Sequence, residues 1–184
     1  MLYSLPIEII KKEIFLYLDE SARIVLGNVL WNKQIPDILT CEVQKEICKY
    51  SVEYLRFFES RIVNEHVTYY LSTHCNFEGL KWAKENNYPW DTWTCANVAA
   101  KGNLEILKWL REYECPWDKL TGYYAAKSGH LDIIKWAREN GGEWDEETFN
   151  NANNGGHLDV IIWLLENGCP IPYNYHDDFD DNYK

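Results

Sequence analysis

The stretch "GHLDIIKWARENGGEWD" occupies residues 129–145. It opens on Gly-His and, thirteen residues further on, closes on Trp-Asp. These two dipeptides bracket the four-stranded repeat of β-propellers. Between them, however, the apolar residues Leu131, Ile133, Ile134 and Trp136 recur in the threes and fours of a helix. Whether the stretch is a propeller blade or a helix decides the fold.

The repeat length answers the question. Gly102-Asn103-Leu104-Glu105, Gly129-His130-Leu131-Asp132 and Gly156-His157-Leu158-Asp159 stand 27 residues apart. Trp82, Trp109, Trp136 and Trp163 keep the same step, as do Trp90-Asp91, Trp117-Asp118 and Trp144-Asp145. Four units start near residues 76, 103, 130 and 157, and a worn copy, "SVEYLRFFES", precedes them. A propeller blade takes roughly 40 residues to lay down four strands. A unit of 27 is too short for that.

Each unit reads as a pair of helices. In "NLEILKWLREY", Leu104, Ile106, Leu107, Trp109 and Leu110 form one face, while Glu105, Lys108 and Arg111 fall on the other. A shorter helix precedes this one. Asp91, Asp118 and Asp145 stand at its N-cap, each with a Thr three residues on, where a carboxylate accepts orphan N–H groups of the first turn. The Trp before each Asp is at the staple position and is expected to pack five residues on, against Cys95 or Phe149, with Gly122 offering nothing. Gly102, Gly129 and Gly156 end the short helix in the left-handed conformation. Such a hairpin has one apolar side and buries it by stacking on its neighbours.

The segment "AAKSGHLDIIKWARENGG" resembles the ankyrin-repeat consensus, with Trp136 and Ala137 in place of its two leucines. The resemblance runs over residues 48–172 as one degenerate, three full and one partial repeat. It implies an all-α, ankyrin-like helical-hairpin solenoid. The usual unit of about 33 residues is shortened ahead of each first helix, where the family places its projecting finger. Short Trp-rich units of this kind resemble those of ankyrin proteins from large DNA viruses and some protists.

Residues 1–47 are expected to form a small helical N-terminal segment. Leu5-Pro6 followed by Glu8, Ile9, Ile10, Ile14, Leu18 and Asp19 suits a helix with Pro in its first turn and an apolar stripe. The segment resembles the F-box, with small differences in spacing up to Val29 and Trp31. That resemblance implies docking on a Skp-type adaptor of a cullin ubiquitin ligase through Leu5, Pro6, Ile9 and Leu18, while the repeats hold the protein to be ubiquitinated. The alternative is a plain cap on the apolar end of the array, leaving a free-standing binding protein.

Composition narrows the function further. A formal net charge of −11 disfavours nucleic acid and anionic membrane surfaces as partners. The N-terminus lacks a basic start, and no run approaches the ~20 apolar residues of a membrane span, so the expectation is an intracellular, cytoplasmic monomer (host cytoplasm if viral). Six cysteines without a Cys-x-x-Cys pair read as small buried groups, and the repeat geometry sets Cys115 and Cys169 too far apart to be bridged. His130 and His157 follow the repeat and are assigned a first-turn role rather than a metal. The tail at residues 173–184 reads as a disordered acidic segment, its Asp178, Asp180 and Asn182 lacking the rest of a calcium loop. No nucleotide, hydrolase or metalloprotease motif occurs, so no enzyme, cofactor or metal site is expected.

What remains is a binding module. In the family resembled, partners contact the fingers and the exposed side of each first helix. Those positions here are Trp93 and Lys101, then Lys119, Tyr123 and Lys127, then Glu146, Asn150 and Asn154. They differ from unit to unit while their neighbours repeat. Trp93 breaks the period most sharply, since Leu120 and Glu147 are its counterparts.

Overall fold

The computed structural model describes residues 67–172. The N-terminal segment with Leu5, Pro6, Ile9 and Leu18, the worn repeat copy and the acidic tail lie outside the described residues. Among the described residues there are eight helices and no strand. The chain divides into two compact units between Pro89 and Trp90.

In the first unit, α1 (Val67–Thr73) and α2 (Phe77–Glu85) form a hairpin. Asn76 caps α2 by accepting the Gly79 N–H at 2.9 Å. Gly79 lets the helices meet closely, because a Cβ there would lie 2.5 Å from Leu71 Cδ2. Leu71, Leu80, Trp82 and Ala83 are buried. The Trp82 ring packs on Tyr88 at 4.9 Å, and the Thr68 hydroxyl donates to the Pro89 carbonyl at 2.7 Å.

The second unit holds three further hairpins: α3 (Thr92–Ala100) with α4 (Leu104–Glu112), α5 (Lys119–Lys127) with α6 (Leu131–Glu139), and α7 (Glu146–Gly155) with α8 (Leu158–Glu166). The first helices pack in succession, α3 on α5 and α5 on α7, and each also packs on its own second helix. Small side chains make this close packing possible: Ala96, Ala99, Ala125, Ala126 and Ala152 are buried in the first helices. The second helices supply the bulk. Ile106, Leu107 and Leu110 recur as Ile133, Ile134 and Ala137, then as Val160, Ile161 and Leu164, all buried. Removing one such leucine from water stabilises by roughly 1.5–3 kcal/mol.

The caps lie where the aspartates predict them. Asp91 and Asp145 form capping boxes with Thr94 and Thr148. Asp118 instead accepts from the Leu120 N–H at 2.9 Å, and the buried Thr121 hydroxyl finds no partner among the described residues. Gly102, Gly129 and Gly156 have φ of +74°, +76° and +74°. The middle hairpin is also undersized at three points. Gly122, Ala137 and Gly142 stand where the flanking hairpins carry Cys95 or Phe149, Leu110 or Leu164, and Cys115 or Cys169. A void of about 20 Å³ lies among them.

Two expectations are corrected here. The tryptophans at the two periodic positions are read as core or staple; apart from the buried Trp82 they are half-buried. They meet each other across each hairpin, Trp90 with Trp109 at 6.0 Å, Trp117 with Trp136 at 5.7 Å and Trp144 with Trp163 at 5.7 Å. The histidines make no capping bond either. The four described cysteines are free thiols, and Cys95, Cys115 and Cys169 are buried. The thiols of Cys115 and Cys169 each donate to the carbonyl of their hairpin's capping aspartate, at 3.7 and 3.5 Å. Burial pushes the Cys169 thiol up to about 11.

Candidate protein-binding face

The first helices present the eight positions read from the repeat, and the structure sorts them into two groups. Trp93, Lys101, Lys127, Glu146 and Asn154 are exposed. Lys119, Tyr123 and Asn150 are half-buried and engaged.

Asp145 gathers the engaged pair. The Tyr123 hydroxyl stands 2.8 and 2.7 Å from its two carboxylate oxygens, and Lys119 Nζ donates to Oδ2 at 2.9 Å. The same carboxylate accepts the Glu147 N–H at 3.0 Å, starting α7. One side chain therefore caps its own helix and anchors two side chains from the preceding hairpin. Desolvation works to raise the Asp145 carboxyl, but the hydrogen bonds from Lys119 and Tyr123 outweigh it and hold the group below its ordinary value. Burial, followed by the hydrogen bond to Asp145, pushes the Tyr123 phenol up to about 12. The bond to Asp145 raises Lys119 as well. Lys119 and Tyr123 thus serve the junction between hairpins. Asn150 donates to Glu147 Oε1 at 3.2 Å.

Trp93 is 38% exposed and stacks on Tyr124 of the next hairpin, with ring centroids 5.8 Å apart. Tyr124 is absent from the sequence-derived set. Its counterparts Asn97 and Asn151 break the period in the same way as those of Trp93, and that was the available signal. The pair forms an aromatic ledge across α3 and α5. Lys101 stands beyond the C-terminal end of α3, and Lys127 ends α5. Large aromatics among amides and cations are the composition of interface hot spots.

The carbonyls at the ends of these helices are in use. His130 Nε2 lies 3.2 Å from the Ala100 oxygen, and His157 Nε2 lies 3.0 Å from the Lys127 oxygen. Among the described residues no group of three or more His, Cys, Asp or Glu side chains is placed to hold a metal ion, and no helix is long and apolar enough to cross a membrane. Comparison with known protein families finds no matching family model, and comparison with curated proteins finds no match.

Proposed function

We propose that this chain is a protein–protein interaction module, an ankyrin-like solenoid of helical hairpins that recruits a protein to a cullin-type ubiquitin ligase through its F-box-like residues 1–47. It is not an enzyme in this reading. The observation that carries the binding role is the Trp93–Tyr124 ledge: two large aromatics on a first-helix side where the repeat asks for neither. Exposed Lys101 and Lys127 and the amide of Asn154 flank it along the chain. The adaptor role rests on the resemblance at Leu5, Pro6, Ile9 and Leu18.

Size-exclusion chromatography of the full chain mixed with a Skp-type adaptor tests the proposal. Co-elution is expected, and the double substitution Leu5→Ala, Pro6→Ala abolishes it with helical content unchanged. Failure of the wild-type chain to co-elute would leave a solenoid cap at the N-terminus and a free-standing binding protein behind it.

A further inference from the structure

The second helices carry a pattern that packing alone does not demand. Between α4 and α6 lies an open groove of about 510 Å³ lined by Trp117, Trp136, Lys108, Arg111, Glu112 and Asn140. Its two indoles meet at 58°, and the Arg111 guanidinium lies 4.7 Å from the Trp117 centroid. Each of the six residues recurs in kind 27 positions on, as Trp144, Trp163, Lys135, Arg138, Glu139 and Asn167. There the indoles meet at 65°, with Arg138 at 4.3 Å from Trp144 and Lys135 at 5.9 Å from Trp163.

Local structure explains part of this recurrence. Asn140 and Asn167 each donate to the carbonyl of a tryptophan four residues back, at 2.8 Å, closing their helices. It does not explain the lysines. Lys108 and Lys135 are exposed and form no ion pair among the described residues. Nor do the indole N–H groups of Trp117, Trp136, Trp144 and Trp163 donate to protein among the described residues. Each slot therefore offers a pair of half-buried indoles, one of them already under an arginine, together with indole N–H donors and two cations against one carboxylate.

We propose that the two slots form a continuous track for a proline-rich segment that carries acidic residues. The half-buried indoles present flat apolar surface on which a rigid pyrrolidine ring can pack, and indole N–H groups can donate to the carbonyls that a polyproline II backbone leaves free. The periods agree as well. Packed helices stand about 8–10 Å apart, and polyproline II advances about 9.3 Å in three residues. Every third residue of such a segment then meets an equivalent slot. The exposed lysine at each slot, beside the arginine stacked on its tryptophan, selects carboxylates on the remaining edge. This track lies on the second helices and the loops that follow them, and does not depend on the Trp93–Tyr124 ledge.

The test is isothermal titration of the full chain with three synthetic peptides, (Pro-Pro-Glu)4, (Pro-Pro-Lys)4 and (Gly-Ser-Glu)4. Saturable binding is expected with (Pro-Pro-Glu)4 alone. Lys108→Glu combined with Lys135→Glu weakens it at least tenfold, with circular dichroism unchanged because both side chains are exposed, and Trp93→Ala leaves it intact. No saturation with (Pro-Pro-Glu)4 at millimolar concentration overturns the proposal. So does equal affinity for (Pro-Pro-Lys)4, which removes the charge selection, or for (Gly-Ser-Glu)4, which removes the proline track. Undiminished binding in the doubly charge-reversed variant places the peptide elsewhere and equally overturns it.

Discussion

The His157 ring closes over Gly129: a Cβ built on that glycine would lie 2.5 Å from His157 Nδ1, while Nε2 of the same ring reaches the Lys127 carbonyl at 3.0 Å. His130 covers Gly102 in the same way. The recurring glycine thus meets two demands, a positive φ and room for an imidazole from the next hairpin. Gly156 meets only the first, since nothing lies within 4 Å of a Cβ there. Gly156→Ala is expected to cost about 1–2 kcal/mol, the strain of a left-handed alanine. Gly129→Ala should cost more, and adding His157→Ala should recover the excess. Urea unfolding of the wild type and the three variants checks this, and equal losses at Gly129 and Gly156 would show that the ring yields freely.

A second prediction concerns the void beside Trp117. Gly122 sits in the interior of α5, and its nearest neighbour would be the Glu143 oxygen at 3.7 Å, an ordinary contact. Gly122→Ala gains helix propensity without a clash and should stabilise by about 0.5–1 kcal/mol. Denaturant midpoints read the effect, and a loss of stability would mean that the backbone cannot accept the methyl group.

Glu114 has φ of +60°, whereas its counterparts Gly141 and Gly168 are glycines at +83° and +74°. Relieving a left-handed non-glycine outweighs the extra freedom that glycine brings to the unfolded chain. Glu114→Gly should therefore raise stability by about 0.5–1 kcal/mol, while Gly168→Glu lowers it. Thermal midpoints of the pair should move in opposite directions.

The junction at Asp145 predicts a response at both ends of the pH scale. Tyr123 lies above its ordinary value of about 10, so its contribution is whole below that pH and fades as pH rises toward about 12. Asp145 is depressed, so its contribution is whole above its ordinary value and fades as pH falls through the lowered one. Absorbance titration of wild type minus Tyr123→Phe should isolate one phenol ionising near pH 12. Ionisation at the free-phenol value would show that the contact with Asp145 is absent in solution.

Much of the helical pattern was legible because it is local. Asp91 and Asp145 cap where a carboxylate before an amphipathic run belongs, and the positive φ of Gly102, Gly129 and Gly156 follows from their position just past a helix. Contacts between elements were harder to read. A repeat shows which positions recur, but not which two recurring positions touch. At the staple position Trp117 has only Gly122 five residues on, which offers no surface, and its partner is Trp136, nineteen residues on, because the hairpin brings two indoles together. The repeat suggests that the histidines serve their own helices, yet their acceptors lie 30 residues back. At the candidate face, Lys119 and Tyr123 stand out in the sequence as breaks in the repeat, but their link to Asp145 needs three dimensions. Tyr124 hid beside Tyr123, where two adjacent tyrosines gave no sign of which one meets Trp93.

The histidine contacts also have a direction. In each, the side chain belongs to the later hairpin and the acceptor is main chain of the earlier one. A carbonyl is present whatever residue carries it, so an earlier hairpin offers its docking point as soon as its first helix closes. During synthesis from the N-terminus, the hairpins that carry His130 and His157 each meet an acceptor already in place and bring the donor with them.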